Sequence, residues 1–326
     1  MTFASLKIAG IPVDERTFAL SLIACSILVG IANPTLATRL EPLALPALFL
    51  VVLASLVPFA RRAPRELVAI NSNVMRILCW QQLLLPSLVI ALGVLCRLPD
   101  HVIALLVVTA CSGALFAAPA LAALLDLNQR QSLQCMVLST LLMPFTLYMF
   151  LGLISLQTGA IHLDLEVYSL RIMIFLGIPA LLFIGYRRVD SVLTLTGRKH
   201  AEMIARWVVV LALAVFGIGM MKSVADRIVT NPHQVYFYFC LTTALCIAML
   251  LFTTIVMYRY GRTDALTSAL VSGFRNVGLG YALIGDMMGP DLSVYVGIGL
   301  CPVFIGPLIL RLMATSRTQA VREMPS

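Results

Sequence analysis

Arg275 is the residue whose type and position most demand a chemical explanation. It lies in Ser272-Gly273-Phe274-Arg275-Asn276-Val277-Gly278, inside an apolar stretch long enough to cross a bilayer. A charge at that depth costs at least about 2.5–3.5 kcal/mol on insertion scales, so such a side chain faces a cavity or a partner. Gly273, Gly278, Gly280 and Gly285 lie around it and weaken the helix. Broken helices are tolerated in the membrane where their backbone lines protein or water. Two chemistries follow. Arg275 is a fixed positive charge at a discontinuous helix, binding an anion or standing in for a coupling cation. Alternatively it caps the carbonyl end of a half-helix or pairs with a carboxylate. Asn276, on the same turn, is placed to bond freed backbone groups or a substrate.

A matching break is expected earlier in the chain. Cys111-Ser112-Gly113-Ala114 aligns with Val271-Ser272-Gly273-Phe274, and Ala122-Ala123-Leu124-Leu125 then faces Ala282-Leu283-Ile284-Gly285. Inverted repeats with helix breakers at matching positions point to a transporter's binding site. Ser112, Gly113, Ser272 and Gly273 mark the paired breaks, with Pro119 following the first; small residues are equally at home in helix packing. Gln81 and Gln82 precede Pro86 in another apolar stretch, and at least one of them is expected to face the interior. Ser139, Thr140 and Pro144 belong to a stretch that approaches the first break. Asp126 and Asp286 end the two broken spans and read as interfacial.

The elements that must position these residues are transmembrane helices. Sixty per cent of the 326 residues are apolar and 12% are charged, against about 25% charged in soluble domains. Ten spans are expected: 17–33, 43–60, 74–96, 102–125, 132–156, 168–186, 203–222, 234–258, 265–288 and 291–313. Residues 187–202 read as a polar cytoplasmic linker. The tail and spans 1–6 precede it; spans 7–10 follow over 203–313, and 314–326 form a second tail. With the N-terminus inside, sixteen Lys and Arg fall on cytoplasmic segments and four outside, which favours both termini in the cytoplasm. The net charge of +8 is therefore a topology signal, and no nucleic-acid partner is expected. None of the eight cysteines forms a CxxC pair, and the four histidines fall between the spans, so no metal or cofactor is assigned. Residues 17–31 read as a retained first span.

Four stretches resemble the bile acid:sodium symporter family. Trp80-Gln81-Gln82-Leu83-Leu84-Leu85-Pro86 is similar to that family's Gln–x4–Pro, Cys111-Ser112-Gly113 to its Gly-rich break in span 4, Ser139-Thr140-Leu141-Leu142-Met143-Pro144 to its span 5 motif, and Gly273-x-x-Asn276-x-x-Leu279 to its span 9 motif. The resemblance implies an all-α membrane protein of ten transmembrane helices in two inverted five-helix repeats, with spans 4 and 9 broken and crossing. It implies alternating-access transport of a small solute. Departures bear on the coupling ion. Val271 stands where sodium-coupled members carry an acid, Arg275 where they carry glutamine, and Ala117-Ala118-Pro119 where they carry a Ser-Asn pair. These changes remove side-chain oxygens and add a cation, against two intact sodium sites.

The expected protein is a multi-pass secondary transporter of a small organic anion in a bacterial inner membrane, without a catalytic site, and driven by H+ or Na+ if ion-coupled. Arg275, Asn276, Gln81, Ser112, Gly113, Ser272 and Gly273 form its site, with Gln82, Ser139, Thr140 and Pro119 nearby. An arsenite- or auxin-type efflux carrier of the same broad fold is the rival, hinted at by Cys111. An intramembrane lipid-modifying enzyme would need paired acids or a His–acid pair, whereas Asp126, Asp164, Glu166 and Asp286 are isolated or in loops.

Overall fold

The computed structural model describes residues 6–8, 11–13, 15–60, 72–125, 127–158 and 164–322. Two three-residue strands, β1 (Leu6–Ile8) and β2 (Ile11–Val13), form an antiparallel hairpin with Leu6 opposite Val13. The other named elements among the described residues are helices: α1 (Glu15–Ala32), α2 (Pro34–Phe59), α3 (Ser72–Leu95), α4 (Asp100–Cys111), α5 (Ala118–Leu124), α6 (Gln129–Thr158), α7 (Leu165–Val192), α8 (Leu195–Thr230), α9 (Pro232–Tyr260), α10 (Arg262–Gly273), α11 (Val277–Ile284) and α12 (Pro290–Arg322).

Among the described residues seven helices (α2, α3, α6, α7, α8, α9 and α12) are long and apolar enough to cross a membrane. This is an integral, multi-pass, all-α membrane protein. The other three expected spans fall on α1 and on the interrupted pairs α4/α5 and α10/α11. Only 17% of the apolar window is buried in α7 and in α9. Their apolar faces therefore point away from the protein, which is stable only if lipid covers them. Phe145 on α6, 73% exposed, belongs to the same outer surface.

The helix starts follow from local chemistry. Asn33 and Asn231 each precede a proline. The side chain of Asn33 accepts from the Leu36 N–H at 3.1 Å and that of Asn231 from the Gln234 N–H at 3.2 Å. The proline that follows occupies a position where a missing N–H costs nothing. Asp164 caps α7 by accepting from Glu166 and Val167, and Thr194 caps α8 by accepting from Gly197.

Several expectations are corrected. Residues 187–202, read as a polar linker, are helical on either side of Leu193 and Thr194: α7 continues to Val192 and α8 begins at Leu195. Polar side chains there mark helix outside the apolar layer, and Arg198 ties the two ends together by donating to the Asp190 carbonyl at 2.9 Å. His101, His200 and His233 sit in the opening turns of helices, not in loops. Asp126, His162 and the connector around Arg61-Arg62-Ala63-Pro64 lie outside the described residues.

The helices pack in two groups. Helix α8 lies along α1 and α2, and α7 joins them through α2. Helices α3, α4, α5, α6, α9 and α10 form the second group around the interruptions, while α12 touches α1, α8, α9 and α11.

Candidate functional site

The two interrupted helices meet at their interruptions. Helix α4 ends at Cys111, and Ser112 turns extended at φ −57, ψ 146. Helix α10 ends at Gly273, and Phe274 is extended at φ −94, ψ 98. Ala114 and Arg275 then pair as a single antiparallel β-bridge. The Leu115 N–H donates to the Phe274 carbonyl at 2.9 Å, and the Asn276 N–H donates to the Gly113 carbonyl at 2.8 Å. Backbone groups that helix would have satisfied are satisfied across the contact, as burial requires.

Arg275 reaches back into that contact. Its side chain is 0% exposed. Nη1 donates to the Ser112 carbonyl at 2.9 Å, and Nη2 donates to the Gln81 carbonyl at 3.2 Å. Each acceptor is free for a stated reason. Ser112 follows the last residue of a helix, where carbonyls have no intrahelical donor. Gln81 lies in a π-turn, Trp80–Leu84, in which the Leu85 N–H bonds to the Trp80 carbonyl. The next residue is Pro86, which has no N–H to offer. The guanidinium thus fills two vacancies on two different helices with its planar fork. Among the described residues no carboxylate lies within ion-pair distance of it. Its Nε has no hydrogen-bond partner.

Gln81 and Ser272 complete the inner layer. Gln81, also 0% exposed, donates from Nε2 to Ser272 Oγ at 3.0 Å, and its Oε1 has no partner. Asn276 caps α11 by accepting from the Leu279 N–H at 3.2 Å, which leaves its Nδ2 buried without a partner. Three polar atoms at this place (Arg275 Nε, Gln81 Oε1 and Asn276 Nδ2) therefore have unused bonding capacity. Buried groups in that condition call for an explanation.

Helix α6 supports the first break. Ala114 N–H donates to Ser139 Oγ at 3.0 Å, and Gly113 N–H to the Met143 sulfur at 3.3 Å. A Cβ on Gly113 would stand 3.1 Å from the Thr140 Cα and 3.2 Å from its N, so only glycine admits this approach. Ser139 and Thr140 thus lie against the break. Ser112 Oγ donates back to the Val108 carbonyl at 2.7 Å.

Two candidates stand apart. Gln82 faces α6: it accepts from Thr146 Oγ1 at 2.8 Å and donates to the Ser139 carbonyl at 3.4 Å. Its bonds tie helices together. Pro119 is in the first turn of α5, where proline starts a helix, so it opens α5 and makes no kink. Ser272 is still helical, and the second break begins two residues later, at Phe274. Asp286 lies on a 3-10 turn, Gly285–Met288. Met143, Thr146 and the consequence of Pro86 for the Gln81 carbonyl were not apparent from motif spacing. The proline was visible in the sequence, but the π-turn that shifts its effect from one carbonyl to the next was not.

The arrangement presents a permanent positive charge, sealed from solvent in this conformation, between two chain segments that are already non-helical. An anionic group fits there electrostatically, and reaching it requires the helices around the breaks to move. No protein-family model matches the chain, and comparison with curated proteins finds no match.

Proposed function

We propose that this protein is a secondary active transporter that carries a small organic anion by alternating access, with Arg275 as its fixed binding charge. The observation that carries the reading is a fully buried guanidinium, without a carboxylate partner among the described residues, at the contact between two broken helices. Intramembrane charges in such surroundings mark substrate or ion pathways. An anion arriving beside Arg275 neutralises a charge that the protein otherwise holds in a poorly polarisable interior.

The finer architecture belongs to the same proposal. Helices α1 to α6 contain five spans, with α4 and α5 together making the fourth. Helices α7 to α12 contain five more, with α10 and α11 making the ninth. The second five invert the first. The arrangement is like that of the bile acid:sodium symporter family, with termini in the cytoplasm of a bacterial cell. Arg275 replaces a cation at the break. Its two donors hold the helix-end and proline-freed carbonyls, the kind of oxygen that coordinates coupling ions in other transporters with broken helices.

The test is uptake into proteoliposomes from a panel of small carboxylates, sulfonates and phosphonates, under imposed Na+ or H+ gradients. Uptake of one anion class, lost in Arg275→Ala, supports the reading. Sodium-dependent uptake that survives Arg275→Ala unchanged refutes the role of the guanidinium. The efflux alternative rests on Cys111, whose thiol is turned to the Thr146 carbonyl at 3.9 Å.

A further inference from the structure

Arg76 and Arg259 are brought to one aromatic ring at the end of the bundle where α3 begins and α9 finishes. The Arg76 guanidinium lies 4.4 Å from the centroid of the Tyr260 ring, and that of Arg259 lies 4.7 Å from the same centroid. Arg262 follows after a turn at Gly261, which takes φ +109. All three arginines are exposed. Among the described residues none of them is in an ion pair. Arg76 uses one donor, Nη1, on Asn73 Oδ1 at 3.1 Å, and Arg259 donates to no described residue. Asp264, in the first turn of α10, has its Oδ2 engaged by Asn73 Nδ2 at 2.9 Å. One carboxylate beside three guanidiniums leaves a surplus of positive charge. Like charges gathered at one ring repel, so an anion between them is stabilising.

The surface that leads away from this cluster is apolar and faces outward. Ile255 and Phe252 precede Arg259 by about one and two turns on the same face of α9, and both are exposed. On α3, Cys79 and Leu83 follow Arg76 and are exposed as well. The two helices are neighbours: Trp80 Nε1 donates to Thr253 Oγ1 at 2.8 Å, a bond buried between them. The arginines therefore stand at the end of two adjacent helices that both present apolar side chains outward. Acyl chains cover such faces in a bilayer. At the edge of the apolar layer, long basic side chains reach the headgroups.

We infer that Arg76 and Arg259, with Arg262 beside them, form a site selective for an anionic glycerophospholipid. The arginines bind its phosphodiester, and an acyl chain lies along Ile255 and Phe252. Three considerations select that occupant. Guanidinium forks match phosphate oxygens with paired donors, and Arg76 Nε and Nη2 and every donor of Arg259 lack an acceptor among the described residues. A zwitterionic headgroup brings an ammonium that the arginines repel, while the acid nearby is engaged by Asn73. A free phosphate satisfies the charge alone, whereas a lipid also covers the outward face of α9, of whose apolar window only 17% is buried. Basic pockets between transmembrane helices bind headgroups of this kind. Tyr260 has its own part: by stacking with both cations it holds them as a pair, so their charge is presented at one place. The site is distinct from the helix breaks, since these arginines are exposed and Arg275 is fully buried.

The experiment measures lipid binding without transport, so its outcome is independent of the organic-anion reading. Full-length protein in a non-ionic detergent is titrated with phosphatidylglycerol or with phosphatidylcholine of the same acyl chains, and bound lipid is counted by native mass spectrometry. Phosphatidylglycerol is expected to bind at least about tenfold more tightly. Arg76→Gln combined with Arg259→Gln is expected to abolish that preference. Arg76→Lys combined with Arg259→Lys keeps the charge, loses the paired donors and retains only part of it. Tyr260→Leu leaves every arginine in place and still lowers the preference, a change that net charge alone does not produce. Arg187→Gln combined with Arg188→Gln removes the same charge from α7 and leaves the preference intact. Equal binding of the two lipids overturns the proposal. So does a loss in the α7 pair equal to that in the Arg76 and Arg259 pair, which would mark diffuse attraction. Displacement of the lipid by an equal concentration of soluble glycerol phosphate would assign the site to a free phosphate instead. Should the glutamine pair fail to fold, a preference unchanged in both the lysine pair and Tyr260→Leu refutes the site.

Discussion

The two helix breaks touch each other, yet they are built on opposite principles. The first, after Ser112, has no charged side chain and borrows its support: α6 supplies Ser139 Oγ and the Met143 sulfur to the N–H groups of Ala114 and Gly113. The second is shorter and partly self-sufficient. Asn276 caps the helix that follows it, and Arg275 exports two hydrogen bonds to the first break and to α3. One break thus receives hydrogen bonds and the other donates them. Charge is concentrated on a single side, which gives the contact one anion-attracting centre instead of two equal ones.

Arg275→Ala tests that comparison most severely. It strands two buried carbonyls at about 1–3 kcal/mol each, while it relieves the desolvation cost of the guanidinium. The expected result is complete loss of anion uptake with a net stability loss of about 1–3 kcal/mol, read from vesicle flux and chemical denaturation. Retained uptake would make the two breaks equivalent. Next in size is a pair of glycine replacements. Gly113→Ala brings a methyl to 2.9 Å from Thr140 Oγ1 and 3.1 Å from its Cα, whereas Gly273→Ala drives one into Cγ and Cδ2 of Leu250. Melting curves should place Gly273→Ala near the top of the roughly 1–3 kcal/mol range for overpacking and Gly113→Ala lower; the reverse order would show that the second break is the adaptable one.

Pro86→Ala sharpens the role of the fork. It restores an N–H able to bond the Gln81 carbonyl, so Arg275→Ala should cost less in its presence. A double-mutant cycle is expected to give a coupling of about 0.5–3 kcal/mol, and additive effects would show that the proline and the arginine act separately. The smallest effects concern the supports. Ser139→Ala removes the acceptor for Ala114, at about 1 kcal/mol, and Asn276→Ala removes the α11 cap, at about 1 kcal/mol. Hydrogen exchange should loosen only Gly113 to Leu115 in the first variant and only α11 in the second. Joint loosening in either one would mean that the breaks unfold as a unit.

Much of this was written in local sequence. Apolar runs and Asn-Pro junctions located the helices, because span length and caps depend on neighbours along the chain. The break around Gly273 was visible because a lone arginine among glycines in an apolar run is costly under any fold. Legibility failed over 187–202, where a polar stretch reads as a linker, since a helix outside the apolar layer can be as polar as a connector. The sequence also offered Arg275 two partners, a substrate or a helix end. The structure supplies the helix end and adds a second carbonyl on α3, 194 residues away in sequence.

That last point sets the division between sequence and structure. Composition determined that the protein lies in a membrane, and residue type determined that Arg275, Gln81 and Asn276 required interior partners, because burying polar groups has a cost independent of topology. Tertiary structure alone decided which partners they found. Ser112 and Gln81 accept through backbone carbonyls, which every residue possesses and no sequence distinguishes. Arg76 and Arg259 share the Tyr260 ring only because α3 begins at the end of the bundle where α9 finishes.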